Sequence, residues 1–193
     1  LRGGEDGSNP LVSPDGEWVA FAYTTQATVL QKVSMFGGPP VTLCESPSPI
    51  FGATWGADDQ IIFGTNGAGL FRVSGGGGEP EVLTTLDVEG GESGHYWPFI
   101  IPGRQAVLFV TAPGPPLTTG ELAVLDLESG EVALLGLAGV SPHYVSTGHL
   151  VYAAEDGSVR AVPFDAASLE VTGNPVPLVE GVVVKLSGAA NFS

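Results

Sequence analysis

A repeat of about 44 residues constrains this chain more than any other feature of its sequence. Its best copy is a turn followed at once by an apolar strand, Ser13-Pro14-Asp15-Gly16-Glu17-Trp18-Val19-Ala20-Phe21. Degraded copies cover residues 56–63, 101–109 and 145–152. Equivalent positions recur at spacings of 43, 45 and 44 residues: Pro14, Ala57, Pro102 and Ser146. Such a period indicates one small unit used several times, each copy burying its faces against its neighbours.

Each copy of the turn is surrounded by further short apolar segments that have the composition of strands. In the first copy, Leu11-Val12 precedes the turn, and Val29–Val33 and Val41–Leu43 follow it. Four short strands per repeat are typical of one blade of a β-propeller. The sequence therefore predicts an all-β fold, a β-propeller of four-stranded antiparallel blades.

Four blades are expected along the chain, at about residues 9–46, 47–88, 91–139 and 140–181. Residues 182–193 have the spacing of the inner strand of a further blade. Because a closed ring does not finish with a stray inner strand, we expect residues 1–193 to be a single segment of a larger propeller. Open blade edges of such a segment would favour self-association.

The composition agrees with a turn-rich β protein and excludes some classes of partner. The chain has 29 Gly and 16 Pro in 193 residues, and its hydrophobic fraction of 43% is sufficient for a packed core. Its formal net charge of −15 disfavours binding to nucleic acid. No apolar run approaches the length of a membrane span.

The best candidate for a helical pattern is the region from Leu122 to Leu137. Ser129-Gly130 interrupts the pattern, and the two halves have the composition of strands joined by a Glu-Ser-Gly turn. We therefore predict a hairpin there.

The repeat around Ser13–Phe21 resembles the TolB-type, WD40-like propeller repeat of bacteria. From Lys32 onward the chain is also similar to the propeller attached to many bacterial Ser/Thr protein kinases. That similarity is carried by residues 32–34, 37–45, 53–59, 69–73, 78–80, 144–152, 161–165 and 169–173. One departure from the pattern is Gly103-Arg104, which stands where Asp-Gly is usual.

The resemblance implies a six-bladed ring that lies C-terminal to a cytoplasmic kinase domain and a single membrane span. The propeller would then be an extracytoplasmic or periplasmic module for sensing or protein binding. The motifs of a kinase domain itself are absent from these residues.

Three residues form a candidate metal site: His95, His143 and Glu92. The two histidines precede the inner strands of consecutive blades, so both are expected to face the central channel near one rim. Imidazole and carboxylate are common metal ligands. However, the chain has no His-x-His or His-x-x-x-His pair, and hydrogen-bonded structural histidines are the alternative. The interpretation preferred here has no metal and no cofactor.

Other polar and aromatic residues have a structural interpretation beside a functional one. Cys44 is the only cysteine and fits a small half-buried residue better than a nucleophile. Trp55 and Trp97 precede the repeated turn and are expected to pack between blades, with a sugar-binding platform as the alternative.

A loop in the third blade, residues 112–120, is longer than its counterparts. Extra loop length on a propeller face is where binding surfaces are often built. The candidate recognition residues are Pro113, Pro115, Pro116, Leu117 and Thr118, and a tolerated insertion is the alternative.

Together these patterns predict a non-enzymatic, sensory or scaffold module that binds a protein or small-molecule ligand at a propeller face or in the central channel. The alternative is an accessory propeller domain of a hydrolase or lyase, with the active site elsewhere or at a channel metal.

Overall fold

The structure, a computed structural model, describes residues 7–24, 28–115, 117–118 and 120–190. These residues form seventeen strands and no helix. In chain order the strands are β1 (Ser8–Val12), β2 (Trp18–Thr24), β3 (Thr28–Ser34), β4 (Val41–Ser46), β5 (Ile50–Trp55), β6 (Gln60–Asn66), β7 (Leu70–Ser74), β8 (Glu81–Val82), β9 (Gly94–Ile100), β10 (Ala106–Ala112), β11 (Glu121–Asp126), β12 (Val132–Ala138), β13 (Val140–Val145), β14 (His149–Ala153), β15 (Val159–Asp165), β16 (Glu170–Val171) and β17 (Val176–Val179).

The strands form antiparallel sheets in which neighbours in sequence are neighbours in space. The first four strands pair in the order β1-β2-β3-β4. β5 to β8 and β9 to β12 repeat this order, and β13 to β15 repeat it with both β16 and β17 paired to β15. We call these groups blades I to IV; the chain is an all-β propeller segment, as predicted.

Blades II and III are also joined by backbone pairing. Thr65 and Asn66 at the end of β6 pair with His95 and Gly94 at the start of β9, which makes one eight-stranded sheet of the two blades. This pairing brings the start of blade III against the loop that follows β8.

The hydrophobic core consists of three clusters, each between consecutive blades. Blades I and II share one around Leu30, Ile61 and Phe63. Blades II and III share a second around Ile62 and Phe109. The third and largest lies between blades III and IV, around Leu108 and Tyr152. Each blade thus buries apolar side chains on its neighbour, which is how a repeat too thin to fold alone is stabilised.

The predicted hairpin in blade III is present as β11 and β12. Asp126 organises its turn, because the Asp126 carboxylate accepts a hydrogen bond from the Glu128 amide at 2.8 Å and its carbonyl accepts one from Gly130 at 2.8 Å. This local bonding, with Gly130 at φ 76°, ends the apolar run as two strands rather than a helix.

The blade boundaries and the further blade remain predictions. After β17 the chain forms a β-bridge between Val184 and Ala190, and residues 189–190 reach the inner strands of the other blades. Residues 191–193, at the end of the predicted inner strand, lie outside the described residues. No helix that could span a membrane is found within the described ranges.

Candidate functional site

The innermost strand of every blade contains a β-bulge with a left-handed residue. The four residues are Asn9 (φ 53°), Gly52 (φ 86°), Trp97 (φ 52°) and Ser141 (φ 52°). Each lies at a register shift of its strand. Their spacings of 43, 45 and 44 residues equal those of the repeated turn. The bulges are therefore a feature of the repeat, and they turn the innermost strands at the propeller axis.

These bulge residues make contacts beyond their own blade. The Asn9 side-chain amide donates to the Ile50 carbonyl at 3.0 Å, and the Ser141 hydroxyl donates to the Gly188 carbonyl at 2.8 Å. The Trp97 indole N–H donates to the Ser187 carbonyl at 2.8 Å. We call these four residues the left-handed ring; their hydrogen bonds connect blade I to blade II and join blades III and IV to residues 187–188.

Beyond the bulges, the innermost strands line a cavity of about 390 Å³ on the propeller axis. All four blades and residues 189–190 contribute to its wall. Its largest side chains are Trp55, Trp97, Phe99 and His143, all of them partly accessible. None of the described residues in this wall is an Asp, Glu, Lys or Arg. The cavity is therefore an uncharged, aromatic site at the position expected for the central channel.

His143 belongs to this aromatic wall. Its ring lies 4.9 Å from the Phe99 ring, and its Nδ1–H donates to the Ser141 carbonyl at 3.0 Å. Burial lowers the pKa of His143, although the hydrogen bond to Ser141 opposes the shift. The imidazole is consequently uncharged at neutral pH.

His95 does not line this cavity, so the expectation that both histidines face the channel is wrong for His95. Its side chain is only 1% exposed and lies 4.8 Å from the Phe109 ring. Because β6 pairs with the start of β9, this part of the strand is enclosed between blades II and III.

His95 forms a hydrogen-bonded chain with Thr84 and Glu92. The Thr84 hydroxyl accepts from the Leu70 amide at 2.8 Å and lies 2.7 Å from His95 Nδ1, to which it donates. His95 Nε2–H then donates to the Glu92 carboxylate at 3.1 Å. Burial lowers the pKa of His95, with Glu92 acting in the opposite direction. This arrangement suits a neutral structural imidazole.

The three candidate metal ligands are not assembled as a site. Glu92 and His95 are in contact, whereas His143 packs on Phe99 in the channel wall. No group of three His, Cys, Asp or Glu side chains placed to hold a metal ion occurs in the described part of the chain.

The predicted recognition loop has both exposed and buried residues. Pro113 and Pro115 are exposed and Thr118 is half-buried, while Pro116 lies outside the described residues. Leu117 is 1% exposed, packs in the core of blades III and IV, and donates its amide to the Leu186 carbonyl at 2.8 Å. Leu117 is thus a packing residue, and a binding role for the rest of the loop stays a prediction.

Cys44 and the tryptophans lie in distinct environments. Cys44 is buried in the core of blades I and II, and this burial raises the pKa of its thiol to about 11, which keeps it protonated. Trp55 and Trp97 are on innermost strands and line the cavity, whereas Trp18 lies under the Lys32 ammonium at 4.3 Å.

The left-handed ring was not predicted from the sequence. Asn9 and Gly52 are residue types that adopt this conformation readily, and their 43-residue spacing is a usable signal. Trp97 and Ser141 give no such signal, since tryptophan above all is unusual at positive φ.

Solved structures share this fold at low sequence identity. TolB from Acinetobacter baumannii matches with a TM-score of 0.65 at 18% identity, over 81% of this chain and 40% of that chain. An auxiliary nutrient binding protein from Bacteroides thetaiotaomicron matches with a TM-score of 0.67 at 11% identity, over 96% and 46%. An oligogalacturonate lyase in complex with manganese matches with a TM-score of 0.62 at 13% identity, over 90% and 53%.

These similarities define the fold as a β-propeller of the TolB-like type. The chain spans between 40% and 53% of the length of these three structures. No protein-family profile matches the chain, and no curated protein sequence matches it.

Proposed function

We propose that this chain is a non-enzymatic binding module whose ligand enters the axial cavity beside Trp55, Trp97 and Phe99. The observation that carries the proposal is the uncharged aromatic wall of the axial cavity, which has a volume of about 390 Å³. Accessible indole and phenyl faces supply large contact areas with little loss of side-chain entropy on binding. A ligand with a flat apolar face, such as a planar ring or the face of a sugar, suits this wall.

The chemistry of the wall favours binding over catalysis. General acid–base catalysis needs a titratable group beside the reacting atoms. His143 is the titratable side chain among the described residues of the wall, and its Nδ1–H is held by the Ser141 carbonyl, so the wall offers one candidate acid or base rather than a pair. A hydrolase or lyase accessory domain is the second candidate, since solved neighbours include an oligogalacturonate lyase and a puromycin hydrolase.

The cellular role proposed here follows the sequence resemblance. The module would lie outside the cytoplasm and act as the sensory or protein-binding part of a membrane-anchored bacterial Ser/Thr kinase. Solved neighbours with binding roles in their names, a nutrient binding protein and a Nidogen/Laminin complex, are compatible with this. Self-association through open blade edges stays a prediction.

The three tryptophans allow a direct test. In a ¹H–¹⁵N NMR spectrum each indole gives one signal, which can be assigned with the variants Trp18→Phe, Trp55→Phe and Trp97→Phe. A library of neutral ring-containing fragments is titrated into the ¹⁵N-labelled protein. We expect hits to shift the Trp97 signal, with Trp55 moving as well, because both line the cavity.

Trp18 is the internal control, since it lies outside the axial cavity. Hits that shift Trp18 or only the outer strands, and leave Trp97 unchanged, would contradict the proposal. Turnover of a hit followed in the same sample would favour the enzyme candidate.

A further inference from the structure

A second cavity lies between the hairpin turns of blades II and III. It has a volume of about 640 Å³, and its wall includes Ile62, Ile100 and Leu127. It also shares Trp55 and Phe99 with the axial cavity, so it begins where the axial cavity ends. We call it the II–III groove. Its size falls in the range of small-molecule sites.

Arg104 stands at the edge of this groove because the blade III turn differs from the others. In blades I, II and IV the left-handed residue is the fourth of the turn: Gly16, Asp59 and Gly148. In blade III the turn runs from Ile101 to Arg104, and its left-handed residue is the third one, Gly103, as in a type II turn. The fourth residue of this turn, Arg104, therefore has no positive φ, and its side chain is exposed.

Arg104 differs from the other two described arginines because each of those is paired with a carboxylate. Arg72 pairs with Glu81 at 2.7 Å, and Arg160 pairs with Asp156 at 2.7 Å. Within the described ranges, no carboxylate lies at ion-pair distance from Arg104. The chain has 21 acidic and only 6 basic residues, so an arginine without a carboxylate partner is unexpected.

Two further charged side chains border the groove. Arg72 lines it while bound to Glu81. Asp58 also lines the groove, and its carboxylate accepts a hydrogen bond from the Gln60 amide of the same turn at 3.3 Å. Of the two arginines at the groove, Arg104 is therefore the one without a described carboxylate at ion-pair distance, although Asp126 and Glu128 line a neighbouring pocket together with it.

We propose that the II–III groove binds a small organic anion, with its charged group at Arg104 and its apolar body over the partly accessible side chains of Ile100, Phe99 and Leu127. Guanidinium groups bind carboxylates, sulfonates and phosphates through directed hydrogen bonds. The apolar wall supplies the remaining contact. This site goes beyond the axial cavity, since it depends on Arg104 rather than on Trp97.

A matched pair of probes isolates the charge. Naphthalene-1-carboxylate and naphthalene-1-carboxamide have nearly the same shape, and only the first is an anion. We expect the wild type to bind the carboxylate about fivefold more tightly than the carboxamide, as a partly exposed ion pair supplies. Arg104→Gln should remove this preference, so that the two probes bind with equal affinity.

Arg160→Gln is the control variant because it makes the same change of net charge on blade IV, away from the groove. The preference for the carboxylate should survive in Arg160→Gln and, in part, in Arg104→Lys. In the NMR spectrum of the wild type, the carboxylate should shift the amide signals of Gly103 and Arg104.

Three results would overturn the proposal. They are equal binding of the two probes, a preference that persists in Arg104→Gln, and shifts confined to residues outside the groove. The axial-cavity proposal is judged on the Trp97 signal with neutral fragments, so either proposal can fail while the other stands.

Discussion

Trp97 of blade III lies directly against Gly52 of blade II, and both residues have left-handed backbones. A Cβ atom at Gly52 would stand 2.7 Å from Trp97 Cε3 and 2.8 Å from Trp97 Cα. Only glycine permits this approach. The contact sets the Trp97 indole on the wall of the axial cavity, so the repeat geometry and the candidate site depend on the same pair.

Gly52→Ala should destabilise the protein more than Gly16→Ala. Both glycines have positive φ, but a Cβ at Gly16 meets no atom within 4 Å. Gly16→Ala should therefore lower the free energy of unfolding by about 1 kcal/mol through backbone strain, and Gly52→Ala by about 2–4 kcal/mol because overpacking is added. Urea denaturation measures both; equal losses would mean that the Trp97 contact has no energetic role.

Two substitutions at Ser141 distinguish the energetic effect of backbone strain from that of the lost hydrogen bond. Ser141→Gly and Ser141→Ala both remove the hydroxyl that donates to the Gly188 carbonyl, but only glycine suits φ 52°. We expect Ser141→Ala to be less stable than Ser141→Gly by about 1 kcal/mol. Thermal unfolding of the two variants side by side tests this, and a more stable alanine variant would contradict the left-handed geometry.

Thr84 should contribute strongly to the contact between blades II and III. Thr84→Val leaves the Leu70 amide and His95 Nδ1 without their hydroxyl partner in a buried site. The expected loss is about 2–3 kcal/mol. Thr42→Val removes an exposed hydroxyl bonded to Gln31 and should change stability by about 0.5 kcal/mol or less. Similar losses in urea denaturation would contradict the His95 hydrogen-bonded chain.

Acidification should destabilise the fold through His95 and His143. Burial lowers both pKa values below the ordinary 6.5, so the unfolded chain binds protons that the folded chain does not. The free energy of unfolding should therefore fall as the pH drops below about 6.5, a decrease that levels off below the folded pKa values.

His95→Gln should reduce the slope of unfolding free energy against pH, and the double variant with His143→Gln should reduce it further. Glu92 beside His95 opposes the shift, so Glu92→Gln should steepen the slope. Urea denaturation at pH values between about 5.5 and 7.5, the range in which histidines ordinarily titrate, measures this slope. An unchanged slope in the double variant would contradict the assignment.

The regular part of the fold could be predicted from the sequence because it depends on local, repeated signals. The turn of Ser13–Gly16 and the hairpin around Asp126 are encoded by residues close in sequence, and the structure contains both. The recurrence of the turn at intervals of 43, 45 and 44 residues predicts the propeller.

The site depends on contacts between blades, and these were not predictable from single segments. His95 was expected in the channel, but the pairing of β6 with β9 encloses it. The loop length predicts Leu117 on a recognition surface, but its side chain packs in the core of blades III and IV and its amide donates to the Leu186 carbonyl. The exposed position of Arg104 follows from a one-residue shift in turn geometry that Pro102-Gly103 permits.

The binding role of the axial cavity is tested most directly by affinity. The fragment that shifts the Trp97 signal most is titrated into the wild type, Trp97→Ala and Trp18→Ala, with folding checked from the dispersion of the amide spectrum. We expect the dissociation constant to rise about tenfold or more in Trp97→Ala, the usual effect of losing a central aromatic contact, and to stay the same in Trp18→Ala. Equal affinity of the wild type and a folded Trp97→Ala would contradict a binding site on the propeller axis.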